Sequence, residues 1–152
     1  MKPDNDTARR YKRPESVLVV IYTVAGDVLL LERRQPAGYW QSVTGSLEYN
    51  EAAASAAVRE VREETGLDVT DRLIDCGYAN RFKIIPAWRA RYAPEVDENT
   101  EYVFRVAYTE RPVVHINSEE HSQFRWLPRE AALQYTSSST NRDAIERFVP
   151  EC

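Results

Sequence analysis

Residues 16–24, SVLVVIYTV, are a near-continuous run of apolar side chains, most of them β-branched. Such residues lose rotamer freedom in a helix and sit well on a pleated surface. The run is too short for a lone helix, and without polar alternation it suits a strand covered on both faces. A strand of that kind demands further layers on either side of its sheet. Ala25, Gly26 and Asp27 supply turn chemistry, and VLLLERR (28–34) follows as a second strand, so the two read as a hairpin. Gln35 to Gly38 breaks the pattern, Trp40 to Val43 is a short strand, and Gly45 is expected to open a loop.

Glu51 to Thr65 is the strongest helix: alanine-rich, free of Gly and Pro, with Asn50 where an N-cap belongs and Gly66 at the C′ position. Residues 67–70 and 73–92 read as mixed strand and loop, 93–101 as a polar connection and YVFRVAYTE (102–110) as a clear strand. FRWLP (124–128) is a short strand or turn, Pro128 begins a helix to about Tyr135, and Thr140 to Val149 makes a last amphipathic helix after SSST (137–140). With no repeat or linker, the expectation is a single α+β domain over 1–152, residues 1–13 forming a mobile or lightly docked arm.

The 152 residues are 43% hydrophobic and 29% charged, as in ordinary globular proteins. A net charge of −4 gives no electrostatic case for nucleic-acid or membrane binding, and the longest apolar run is about half a membrane span. Two cysteines, Cys76 and Cys152, make no disulfide framework, and the first residues lack the apolar core of a signal peptide, so the expected compartment is the reducing cytoplasm.

Charge is distributed unevenly. Arg9, Arg10, Lys12 and Arg13 crowd one end, while Glu48 to Glu64 holds five glutamates against Arg59 and Arg62. On a helix Glu60, Glu63 and Glu64 share about 100° of arc, beside an apolar stripe of Ala54, Ala57, Val58 and Val61. Two carboxylates about 6 Å apart repel by roughly 3 kcal/mol at an effective dielectric of 20, a cost that a cation would offset. All-oxygen ligation suits a hard ion such as Mg²⁺ or Mn²⁺, which keeps waters and takes phosphates as further ligands. On charge pattern alone, a solvated helix face with Glu–Arg pairing is the more common reading.

Gly45, Glu51, Arg59, Glu60, Val61, Glu63, Glu64, Gly66 and Leu67 keep every spacing of the pattern G-x5-E-x7-R-E-U-x-E-E-x-G-U, where U is a bulky aliphatic residue. This segment resembles the Nudix box, and seven fixed identities over 23 residues make the match specific. The resemblance implies a Nudix-type α/β/α sandwich around a small mixed sheet, and a Mg²⁺-dependent hydrolase (Mn²⁺ as a substitute) that cleaves a diphosphate bond in a small-molecule triphosphate. It implies Glu60 and Glu64 as metal ligands, Glu63 as ligand or water-orienting base, and Arg59 and Glu51 as supports of the loop. Asn50 stands where many members carry Gly, and tolerates the same left-handed turn. A further glutamate from a distant loop is expected in this family; Glu120 is the candidate, as ligand or base, with Glu119 its rival and His121 a less favoured base.

Beyond the box, Tyr11 to Pro14, LVVIY (18–22), WQSVTGS (40–46), IDC (74–76), RYAPEV (91–96), Glu120-His121 and Asn141-Arg142 are similar to one Nudix subgroup that removes pyrophosphate from a pterin triphosphate in folate biosynthesis. By that resemblance Lys12, Arg33, Thr44 and Ser138 contact substrate. A frayed-arm lysine, a surface arginine and a helix-capping serine are their plain alternatives. Tyr39, Trp40 and Trp88 are candidates to stack on a ring or to fill the core. Hydrolysis of dATP or an oxidised nucleotide is the alternative substrate reading, and a non-catalytic nucleotide sensor the alternative of another class.

Overall fold

The computed structural model describes residues 11–151, so the first ten residues of the expected arm lie outside the described residues. Residues 12 and 13 are tied down. The Lys12 backbone N–H donates to the Arg91 carbonyl at 2.8 Å, and Arg13 Nη1 donates to the carbonyls of Glu48 and Glu51 at 2.9 and 3.0 Å.

Among the described residues the order is β1 (Glu15–Thr23), β2 (Asp27–Arg33), β3 (Trp40–Gln41), β4 (Val43–Ser46), α1 (Ala53–Thr65), β5 (Ile74–Lys83), a 3₁₀ helix (Pro86–Arg91), β6 (Glu98–Tyr108), β7 (His121–Pro128), α2 (Arg129–Tyr135) and α3 (Ser139–Phe148). The β-branched run becomes β1 and is paired along both edges. It runs parallel to β6 from Glu15↔Thr100 to Thr23↔Tyr108, antiparallel to β4 over residues 16–19, and meets β2 at Tyr22↔Val28. The hairpin turn is closed by Gly26, whose φ of 97° only glycine adopts readily. Its N–H reaches the Thr23 carbonyl at 2.8 Å. β2 carries β3 and β7 on its two edges.

Strand alternation divides the core into two layers, the sandwich that the sequence implies. Val17, Val19, Ile21 and Phe104 face α1, packing against Ala56, Ala57 and Val61. Leu18, Val20 and Val103 face α2 and α3, packing against Ala132, Leu133, Ala144 and Ile145. Each fully buried aliphatic side chain of this kind contributes about 1.5–3 kcal/mol. No described helix is long and apolar enough to cross a membrane.

Several local expectations need correction. α1 starts at Ala53, and its N-cap is Ala52, with no side-chain cap bond. Asn50 is not the cap; it takes a φ of 63°, the left-handed turn that places Glu51. Ala54 is exposed, and the buried stripe is Ala56, Ala57, Val61, Glu64 and Thr65, so a glutamate sits inside the stripe rather than beside it. Gly45 lies within β4, not in a loop. β6 begins at Glu98, inside the segment read as a polar connection. Gly66 ends α1 as expected, with φ 77° and its N–H on the Arg62 carbonyl at 2.9 Å.

Candidate active site

α1 presents its carboxylates to a cleft of about 930 Å³ that runs between the β4–α1 junction, the 3₁₀ helix and the start of α3. Glu64 is 2% exposed, because its position in the stripe turns it inward between Val61 and Thr65. The Glu60 carboxyl lies on the β4 backbone: a Cβ on Gly45 would stand 2.0 Å from Glu60 Cδ. Only glycine leaves that space.

Arg59 organises the turn from β4 to α1. Its Nε and Nη2 hold the two Glu51 carboxylate oxygens, each at 2.8 Å, and Nη2 also donates to the Ser46 carbonyl at 3.1 Å. Glu51 in turn accepts the Glu48 N–H at 2.9 Å. The fork geometry of guanidinium makes this clamp possible. Arg59 Nη1 reaches Glu60 Oε2 at 3.0 Å and Glu63 Oε1 at 3.3 Å. The Arg59 bond and the Glu48 N–H outweigh partial burial and hold the Glu51 carboxyl below its ordinary range.

The Glu60–Glu64 pair is electrostatically expensive. Burial first, then Glu60 beside it, pushes the Glu64 carboxyl well above its ordinary value; Glu120 and Glu63 add to the effect. Burial likewise raises Glu60, with Arg59 opposing. Burial therefore favours the neutral form at both carboxyls, and Glu64 Oε1 is buried with no partner. His121 Nε2 lies 3.6 Å from that oxygen. Burial and Arg33 lower the imidazole to a pKa of about 4, so His121 is neutral near pH 7 and this contact is not an ion pair.

Lys12, Arg33, Thr44, Glu60, Glu64 and Glu120 all line the cleft, and so does Ser138. The Lys12 side chain is exposed as a whole, yet its ammonium is enclosed enough that burial, then Arg91 and Arg33, lower its pKa; Glu60 and Glu120 act against them. Three cations therefore face the carboxylates, an arrangement suited to a polyphosphate. Arg33 is held by the Gln35 carbonyl at 2.9 Å and lies 5.7 Å from the Trp88 ring centroid. Ser138 caps α3, accepting the Asn141 N–H at 3.3 Å.

Glu63 is not among the cleft-lining residues; its side chain is 51% exposed and leans on Arg59. Glu119 also lies off the cleft, whereas Glu120 is in it. Tyr39 and Trp88 line the cleft, while Trp40 packs in the core at 5.2 Å from Tyr135. Among the described residues no three His, Cys, Asp or Glu side chains are gathered as a finished metal cage. The donor set nonetheless fits a hard divalent cation. Glu64 offers an unpartnered oxygen, and a cation would offset the negative charge that burial disfavours on Glu60 and Glu64.

Sequence reasoning missed Asn99 and Glu101, buried polar residues in the cleft wall. Their signal is period two: extending the strand back from Val103 puts both on the same face as that core residue.

Residues 12–148 match the family described as NUDIX domain. The chain is 48% identical over 144 residues to a dihydroneopterin triphosphate diphosphatase of Escherichia coli K12, covering 91% of this chain and 94% of that one. It is 37% identical over 144 residues to the protein of the same name in Haemophilus influenzae, covering 92% and 90%. The solved structure of the E. coli dihydroneopterin triphosphate pyrophosphohydrolase superposes with a TM-score of 0.84 at 46% identity, over 91% of this chain and 97% of that one.

Proposed function

Because the chain belongs to the NUDIX family, we propose that it hydrolyses dihydroneopterin triphosphate to dihydroneopterin monophosphate and pyrophosphate, with Mg²⁺ as cofactor and Mn²⁺ as a substitute. The observation that carries this reading is the meeting, in one cleft, of Glu60, Glu64 and Glu120 with the cations Lys12 and Arg33. The substrate follows from the likeness to the E. coli and H. influenzae enzymes. We place the reaction in the cytoplasm, where free triphosphates are kept.

Glu60, Glu64 and Glu120 would hold the ion. When bound, it polarises phosphoryl oxygens and neutralises the leaving pyrophosphate. Lys12 and Arg33 bind the phosphate chain, Arg33 by a two-pronged bond and Lys12 as a point charge. Thr44 and Ser138, both in the cleft lining, orient the substrate by hydrogen bonds. Glu120, the cleft carboxylate outside α1, positions a water and takes its proton as the water oxygen attacks phosphorus. The bond broken is the bridge between the α and β phosphates; the phosphorus attacked keeps the water oxygen, and the bridging oxygen leaves with the other product together with the bond's electron pair. Glu63, paired to Arg59 and outside the cleft, keeps Arg59 in place in this scheme; service as base would require it to leave that partner.

The test compares kcat/KM for dihydroneopterin triphosphate and dATP with purified protein and Mg²⁺. Preference for the pterin compound supports the proposal. A preference of 100-fold for dATP or an oxidised nucleotide would replace it with nucleotide-pool hydrolysis. Ligand-induced stabilisation without turnover, even with Mn²⁺, would make the chain a sensor.

A further inference from the structure

The cleft has a second polar region, away from α1. Asn99 and Glu101 stand two apart on β6 and project to the α3 side of the sheet. Across the β5–β6 ladder Asn99 is paired with Phe82 and Glu101 with Asn80, and across β1–β6 Glu101 is in register with Ser16. Ser16, Phe82, Asn99, Glu101 and Thr140 all line the cleft.

This region is rich in acceptors and short of donors. Glu101 is 6% exposed and takes a hydrogen bond from Asn80 Nδ2 at 3.2 Å and another from Thr140. An ionised carboxylate has about four acceptor sites, so about two remain open. Asn99 donates through Nδ2 to Ser16 Oγ at 2.8 Å, which leaves its Oδ1 buried without a partner. Phe82, paired with Asn99, adds an aromatic side chain to the same lining.

We propose that Glu101, with Asn99 next to it, determines ring specificity by accepting two adjacent N–H donors, the 2-amino-4-oxo edge carried by pterins and guanine but not by adenine. On that edge the ring N–H and the exocyclic amine point the same way and match two carboxylate oxygens, as a guanidinium does. Adenine presents one amine donor beside a ring acceptor, whose lone pair would face the carboxylate. An acceptor meeting an acceptor in a buried site is strongly disfavoured, so this contact rejects as well as selects. Phe82 stacks on the ring so held. Burial raises the Glu101 carboxyl above its ordinary range, and the Thr140 and Asn80 bonds oppose it; two ligand donors add to that opposition and favour the charged form. This inference rests on the pterin-triphosphate reading above and names the residue that would read the ring.

The test is equilibrium binding by calorimetry, which involves no hydrolysis. Neopterin monophosphate and dAMP are titrated into the wild-type protein and into Glu101→Gln. The glutamine keeps the side chain's size and its acceptor, but replaces the second acceptor with a donor. Neopterin monophosphate should bind at least 10-fold more weakly to the variant, and dAMP within threefold of wild type or more tightly. Equal weakening of both ligands, or no change for the pterin, overturns the assignment. A comparison needing no variant uses wild-type protein with GMP and IMP, which differ by the 2-amino group: GMP should bind at least 10-fold more tightly, and failure to favour GMP also overturns it. A protein that binds the pterin but does not cleave the triphosphate would sink the hydrolysis proposal alone.

Discussion

Gly45 and Glu60 occupy one space: a Cβ on the glycine would lie 2.0 Å from the Glu60 Cδ. The glycine that opens the box is therefore set by the neighbour it must admit, not by backbone strain. Gly45→Ala should push the flexible end of Glu60 away while leaving β4 paired with β1. The expected result is a folded protein, by circular dichroism and thermal melting, with kcat/KM lowered at least 10-fold. Unchanged activity would mean that the position of Glu60 on β4 is immaterial.

Arg59 holds Glu51 with two bonds and the Ser46 carbonyl with a third. A lysine keeps the charge but cannot span these acceptors. Arg59→Lys should cost about 1–3 kcal/mol of stability, seen as a lower midpoint in urea with an unchanged slope. An unaltered midpoint would show that the clamp adds nothing to the fold.

The raised carboxyls of Glu64 and Glu60 tie stability to pH. Burial first, then mutual repulsion, makes the native state bind protons on these two carboxyls more tightly than the unfolded chain does. The pair's contribution is then greatest below the ordinary carboxyl range and is lost as pH climbs through the raised folded values. In chelator, wild-type protein should melt progressively lower from about pH 5 to pH 8. Glu64→Gln should flatten that slope and melt above wild type at pH 8. Addition of Mg²⁺ at pH 8 should restore wild type and do little for the variant. Parallel pH profiles for the two proteins would contradict the burial argument.

The apolar elements were legible from sequence because period and composition agree there: the strands read at 16–24 and 28–34 are β1 and β2, each one residue earlier at both ends, and Gly66 ends α1. The box spacing led to Glu60 and Glu64 and the wider resemblance to Glu120, Lys12, Arg33, Thr44 and Ser138, all of which line the cleft, whereas Glu63 of the box does not. The failures fall where polar residues are buried. Asn99 and Glu101 made 93–101 look like a solvated connection, although they are strand residues facing a cleft. Glu64 looked like the margin of a helix face, because a helical wheel cannot tell a buried carboxylate from one that borders the core. Asn50 read as a cap by residue type, yet the turn needed its tolerance of positive φ.

On the proposed reading, inward-turned glutamates of α1 support cleavage of a pterin triphosphate. Its most direct test is single-substrate turnover of dihydroneopterin triphosphate with Mg²⁺ by wild type, Glu60→Gln and Glu64→Gln, each verified as folded. Wild type should release one pyrophosphate per dihydroneopterin monophosphate, and each variant should fall at least 100-fold in kcat. Turnover near the wild-type rate in either variant, or release of orthophosphate as the primary product, would contradict the account.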